Sequence, residues 1–207
     1  QNEGYTVFEL ISRLPNDGWE PSAAFSDAQR AMKIVRTDAA EYSIDSSQIG
    51  IMGFSAGGHL AGFTALQPDK NFYRANDRFE AVSARPDFAA LLFPVVSLRK
   101  PFDTTRTRRE LIGTDPDIAA QIAWSLDTHA SKNAPPTIIF SAADDPITPP
   151  GHGIALFQAL VSAGAAAEIH IFEQGGHGWG LGTKSQMLNQ WPDIFEAWLT
   201  RRSSAQT

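Results

Sequence analysis

The sequence predicts an α/β fold: a mostly parallel sheet with helices on both faces. Two observations carry this expectation. Short β-branched or aromatic runs alternate with helically periodic stretches along the whole chain, and such alternation is the pattern of βαβ units. One of those runs leads through a glycine-rich turn directly into a small-residue helix, the strand–turn–helix order typical of a parallel sheet.

In chain order, residues 5–11 read as the first strand. Residues 23–42 follow as a helix, with Ala24, Ala28, Ala31, Ile34, Val35 and Ala39 at helical spacing. Residues 48–54 form the second strand and the stretch from Ala56 through Gly62 opens a helix. A third strand is expected at 88–96, a fourth at 137–142 and a fifth at 168–172. Residues 100–134 mix Pro, Thr and charge without strong periodicity, so short helices and loops are expected there, placed to cap a pocket. Helical periodicity returns at 154–163, closed by Gly164, and at 187–199. No internal repeat, low-complexity tract or linker divides the chain, so residues 1–207 read as a single domain.

Composition excludes several functional classes. The chain has 207 residues, 43% of them hydrophobic and 19% charged, enough for a full core. No apolar run approaches the roughly 20 residues a membrane span requires. A net charge of −6, with no basic cluster larger than Arg106-Thr107-Arg108-Arg109, argues against nucleic acid as a partner. That cluster reads as a solvated helix start. The absence of cysteine removes disulfides, thiolate metal sites and a cysteine nucleophile together. No signal-peptide pattern is present, and the compartment stays open.

The chemistry concentrates at Gly53-Phe54-Ser55-Ala56-Gly57. Five letters of this kind are a weak signal, but here they lie between a strand and a helix, where the turn forces the serine into a strained backbone that small neighbours permit. Gly53 and Gly57 are expected to supply that room. Ser55 is then a nucleophile, and Ala56, whose N–H starts the helix, an oxyanion donor. Such a serine needs an acid and a histidine from later strands, in that order.

Beyond the strand at 137–142 comes Asp144-Asp145-Pro146. Asp145 is assigned as the acid because Pro146 fixes the turn just past it, leaving Asp144 as the turn-initiating or solvated residue. Beyond the last strand comes Gly175-Gly176-His177-Gly178-Trp179, where glycines let a loop carry an imidazole across to another loop. His170 lies within a strand, His129 in the irregular stretch, His152 near a helix start and His59 on the helix after Ser55, so His177 is the one in the required order and loop type. Ser55 would attack an ester carbonyl, His177 shuttle the proton and Asp145 hold the imidazole tautomer. No metal or organic cofactor is called for. Trp179 and Phe54 are the candidate substrate-binding residues, Trp179 by stacking on a sugar or aromatic acyl group and Phe54 by keeping the site apolar.

Gly53 through Ala61, Trp19, Asp27 through Ala31, Arg85-Pro86-Asp87-Phe88 and Gly175 through Gly178 together resemble bacterial α/β-hydrolase-fold esterases of the acetylxylan-esterase-like and feruloyl-esterase-like groups. The resemblance runs from about Gly4 to Leu199. It implies ester hydrolysis on acylated sugars or other short acyl esters, with Ser55, Asp145 and His177 in the nucleophile, acid and base positions. Such esterases carry an upstream His-Gly-Gly-Gly-like oxyanion segment that this sequence starts too late to include, so the fold is expected to be N-terminally shortened, with a gap beside the nucleophile strand. Three outcomes follow from that gap. The 5–11 strand moves over and the loop Ser12-Arg13-Leu14-Pro15 supplies a substitute donor; a second copy completes the sheet edge; or the protein hydrolyses weakly. A serine peptidase of the same fold and a catalytically dead binding or assembly module are the alternative functions.

Overall fold

In the computed structural model, which describes residues 4–75, 77–183 and 186–204, four parallel strands form one sheet in the order β1-β2-β3-β4. They are β1 (Gly50–Phe54), β2 (Phe88–Leu92), β3 (Thr137–Ala142) and β4 (Ala167–Phe172). Among the described residues six α-helices accompany them: α1 (Ala23–Thr37), α2 (Ala56–Leu66), α3 (Arg106–Ile112), α4 (Ile118–Trp124), α5 (Gly151–Ser162) and α6 (Trp191–Ser204). The central strands read as near-continuous apolar runs because they are covered on both faces. Every residue of β3 is buried, as are the last four of β2.

One face packs Leu91 and Ile139 against Phe25 of α1, Ala61 and Phe63 of α2, and Leu156 and Leu160 of α5. The other packs Ala90, Leu92, Ile138 and Phe140 against Trp191, Trp198 and Leu199 of α6. Burying a side chain of this size contributes on the order of 1.5–3 kcal/mol, so these two layers hold the sheet that aims the loops of the site. The 100–134 stretch forms α3, α4 and a 3₁₀ turn, as its weak periodicity predicts.

Residues 5–11 do not form a strand. A strand requires a ladder partner for its backbone groups. Among the described residues β1 pairs only with β2, and the 5–11 segment leaves Val7 and Ile11 exposed, with Phe8 packed edge-on against Tyr42. It has therefore not moved over onto the nucleophile strand. The strand expected at 88–96 stops at Leu92, because Phe93 turns the chain at φ 38° and Pro94 has no N–H to donate. The long first helix ends at Thr37, where the chain leaves helical geometry at Asp38. The helix expected at 187–199 opens as a 3₁₀ turn and becomes α6 at Trp191.

Candidate active site

Ser55 stands between β1 and α2 with φ 53° and ψ −118°, a conformation few residues other than glycine adopt. The surrounding backbone holds it there. Its N–H donates to Leu92 O at 3.0 Å, and its carbonyl accepts from Val95 N at 3.2 Å and His59 N at 3.1 Å. Gly53 makes the turn possible, since a Cβ there would lie 2.1 Å from the carbonyl oxygen of Gly57. Gly57 is different: a Cβ on it would meet nothing within 4 Å, so the room attributed to it is not required. The close approach on that side belongs to Gly58, whose added Cβ would sit 3.0 Å from Pro94.

The structure brings Ser55, His177 and Asp145 together. His177 Nε2 lies 2.8 Å from Ser55 Oγ, and His177 Nδ1 lies 2.8 Å from Asp145 Oδ2. With Nδ1–H donating to the carboxylate, Nε2 is left to accept from the serine hydroxyl. Gly176 at φ 61° and Gly178 at φ 74° flank the histidine and allow its loop to double back over Ser55.

The Asp145 side chain is fully buried. Its Oδ1 accepts from Ile147 N at 2.8 Å and Thr148 N at 2.9 Å, and Thr148 Oγ1 is 2.9 Å from Oδ2. A buried carboxylate is tolerated only with such a full set of donors. Asp144 is exposed in the turn after β3, as expected, but it also has a second duty. Its Oδ1 accepts from the backbone N–H groups of Gly175 and Gly176, both at 2.8 Å, and so ties the β3 loop to the histidine loop.

Ala56 is the first residue of α2, so its N–H has no acceptor within the helix and lies beside Ser55 at the positive end of the helix dipole. In the Ser12-Arg13-Leu14-Pro15 loop, Arg13 and Pro15 have no backbone N–H to offer as a substitute donor. Arg13 N donates to Asp27 Oδ2 at 2.8 Å and its guanidinium forms an ion pair with the same carboxylate, while Pro15 has no N–H. Phe54 is 43% exposed, close to Phe93 and Trp191. Trp179 is partly buried and meets Phe93 and Phe172 in edge-to-face contacts, and its Nε1 is buried without a hydrogen-bond partner.

The other histidines have separate duties. His59 is buried, with Nδ1 3.1 Å from Val95 O. Burial pushes its pKa down to about 4. His152, also lowered to about 4 chiefly by burial, accepts from Val96 N at 3.1 Å and Ser97 N at 3.3 Å. Both therefore pin the segment after β2 that holds Ser55. His170 contacts Glu168 at 2.8 Å and stacks on Phe140, and His129 contacts Ala123 O at 2.9 Å. The anchoring by Asp144 and by the two buried histidines escaped the sequence reading because each joins segments distant in the chain.

Residues 1–160 match the family described as BD-FAE. The chain belongs to the BD-FAE family. This BD-FAE chain is 29% identical over 203 residues to an acetylxylan esterase of Xylanibacter ruminicola, covering 95% of this chain and 39% of that protein. It is 30% identical over 152 residues to endo-1,4-beta-xylanase B of Butyrivibrio fibrisolvens, covering 73% of this chain and 24% of that protein. The chain thus spans well under half the length of these curated relatives. Among solved structures it superposes on an acetyl ester-xyloside bifunctional hydrolase from Caldicellulosiruptor lactoaceticus with TM-score 0.82 and 32% identity, covering 90% of this chain and 68% of that one. A thermophilic esterase of Thermogutta terrifontis, solved with propionate and with butyrate bound, matches with TM-score 0.73. For the propionate complex the identity is 29%, with 89% of this chain and 67% of that one covered. The fold of this BD-FAE member is the α/β-hydrolase fold, that of the esterases it superposes on.

Proposed function

We propose that the protein is a serine carboxylesterase acting on short-chain acyl esters, acetyl esters of sugars or oligosaccharides foremost. The observation that carries this reading is the continuous hydrogen-bond path from Ser55 Oγ through His177 to Asp145, each link 2.8 Å. In this mechanism His177 Nε2 takes the serine proton as Oγ attacks the ester carbonyl. The tetrahedral oxyanion is met by the Ala56 N–H, and the proton passes to the leaving alkoxide as the C–O bond breaks. Water, deprotonated by the same imidazole, then attacks the acyl-enzyme and releases the acid. Asp145 keeps Nδ1 protonated and balances the imidazolium in both halves.

The small acyl preference is supported by the apolar surroundings of Ser55, with Phe54 beside it, and by the propionate and butyrate complexes of the Thermogutta esterase. The sugar alcohol is supported by the acetylxylan esterase and xyloside-hydrolase names of the relatives. Hydrolysis of p-nitrophenyl acetate and of an acetylated xylo-oligosaccharide by the chain and its Ser55→Ala variant tests the reading. Turnover lost in the folded variant supports a serine esterase; equal rates refute it, and turnover of the nitrophenyl ester alone refutes the sugar assignment.

A further inference from the structure

The acid of the site does not stand on the His177 contact alone. Asp145 Oδ1 is occupied by two backbone N–H groups of its own turn, so Oδ2 is the oxygen left to serve His177. Three groups surround the Thr148 hydroxyl: Asp145 Oδ2 at 2.9 Å, Phe93 O at 3.1 Å and His177 Nδ1 at 3.2 Å. Thr148 is 1% exposed, and no bulk water reaches the hydroxyl to replace any of these partners. A threonine hydroxyl carries one proton, and the carboxylate oxygen is the stronger acceptor in reach.

Phe93 matters for the same reason. It turns the chain at φ 38°, and its ring stands edge-on to the His177 imidazole with centroids 4.9 Å apart. The single side chain of Thr148 thus meets the acid loop, the backbone of the residue that walls the imidazole, and the imidazole itself. Without its hydroxyl, Oδ2 has one donor in a buried setting, and the carboxylate is free to rotate away from the direction that Nδ1–H needs.

We propose that Thr148 is a positioning residue of this site, its hydroxyl fixing the Asp145 carboxylate against His177 so that the imidazole stays aimed at Ser55. The inference rests on the serine-esterase reading. The spacing is local: a carboxylate that bonds the N–H groups two and three residues on brings the side chain of the third residue back to its own free oxygen.

The test is steady-state hydrolysis of p-nitrophenyl acetate by the full chain carrying Thr148→Val, Thr148→Ser or Thr148→Ala, alongside Ser55→Ala. Loss of one hydrogen bond to a charged group predicts that Thr148→Val lowers kcat by about 10- to 50-fold with KM within about twofold. Thr148→Ser, which restores the hydroxyl, is expected to recover kcat to within about threefold of the parent. If Thr148→Val does not fold, the Ala and Ser variants make the same comparison. A Val or Ala variant with parental kcat, or a loss that Ser fails to repair, overturns the proposal while an inactive Ser55→Ala leaves the serine reading standing. Turnover that survives Ser55→Ala overturns both.

Discussion

Asp144 Oδ1 lies 2.8 Å from the backbone nitrogen of Gly175, and this contact fastens the loop after β3 to the loop that carries His177. The neighbouring N–H of Gly176 shares the same oxygen at 2.8 Å, so one exposed carboxylate sets the starting direction of the histidine loop. Asp144→Ala is expected to lower kcat about tenfold, with a stability loss on the order of 1 kcal/mol because water can replace part of the interaction. Asp144→Asn, which keeps an acceptor oxygen, is expected to retain most of the activity. Kinetics and urea unfolding of the two variants check this; equal losses from Ala and Asn would refute an acceptor role.

Asp145→Asn is a different kind of change. The carboxylate accepts from two backbone N–H groups on one oxygen and faces Thr148 and His177 on the other. An amide has one acceptor end, so its NH₂ must face donors on one side, favouring the wrong imidazole tautomer. A fall in kcat on the order of 10³- to 10⁴-fold is expected. Comparing burst and steady-state rates of the purified variant would expose a smaller effect.

The two glycines of the turn separate under substitution. Gly53→Ala would drive a methyl group to 2.1 Å from Gly57 O, and the chain must shift to avoid it. We expect a loss of about 3 kcal/mol or more, or an insoluble product. Gly57→Ala places its methyl in open space within α2 and is expected to leave the melting temperature unchanged or slightly raised. A scanning-calorimetry comparison that ranked them the other way would contradict the turn geometry described here.

Acid should loosen the segment behind Ser55. His59 and His152 both have folded-state values lowered to about 4 from 6.5, chiefly by burial. Between those limits the unfolded chain binds more protons than the folded one, so their contribution is intact above about pH 6.5 and falls as pH drops, the loss being complete near pH 4. The slope is at most about 1.4 kcal/mol per pH unit for each histidine. The carboxylates held low by ion pairs, Asp27 beside Arg13 among them, lose their contribution in a more acidic window. Urea midpoints across this range test the expectation. His152→Asn, whose side-chain oxygen can still accept from Val96 N and Ser97 N, should flatten the slope.

Alternating apolar runs and helical stretches were enough to announce the parallel sheet, because central strands covered on both faces must be apolar throughout. The approach to Ser55 was legible too, since only a sequence with glycine at 53 can bring a helix that close behind a strand. Residues 5–11 misled for a physical reason: an apolar, β-branched segment has strand propensity, but a strand exists only where another backbone pairs with it. The packing around Trp179 was not legible either: its place beside the histidine is local, but the Phe93 and Phe172 rings it meets edge-to-face come from other parts of the chain.

By itself the sequence determined the α/β class, the strained serine turn and the loops that carry Asp145 and His177, because each depends on short-range backbone rules and side-chain periodicity. Tertiary structure alone decided that Asp144 anchors the histidine loop, that Thr148 meets Asp145, His177 and Phe93 at one point, and that two neutral histidines hold the chain behind Ser55. Apart from the local Asp145–Thr148 pair, three positions apart, those relationships join residues 29 to 56 positions apart. Directional hydrogen bonds of that reach are set only once the packed sheet has brought the loops together.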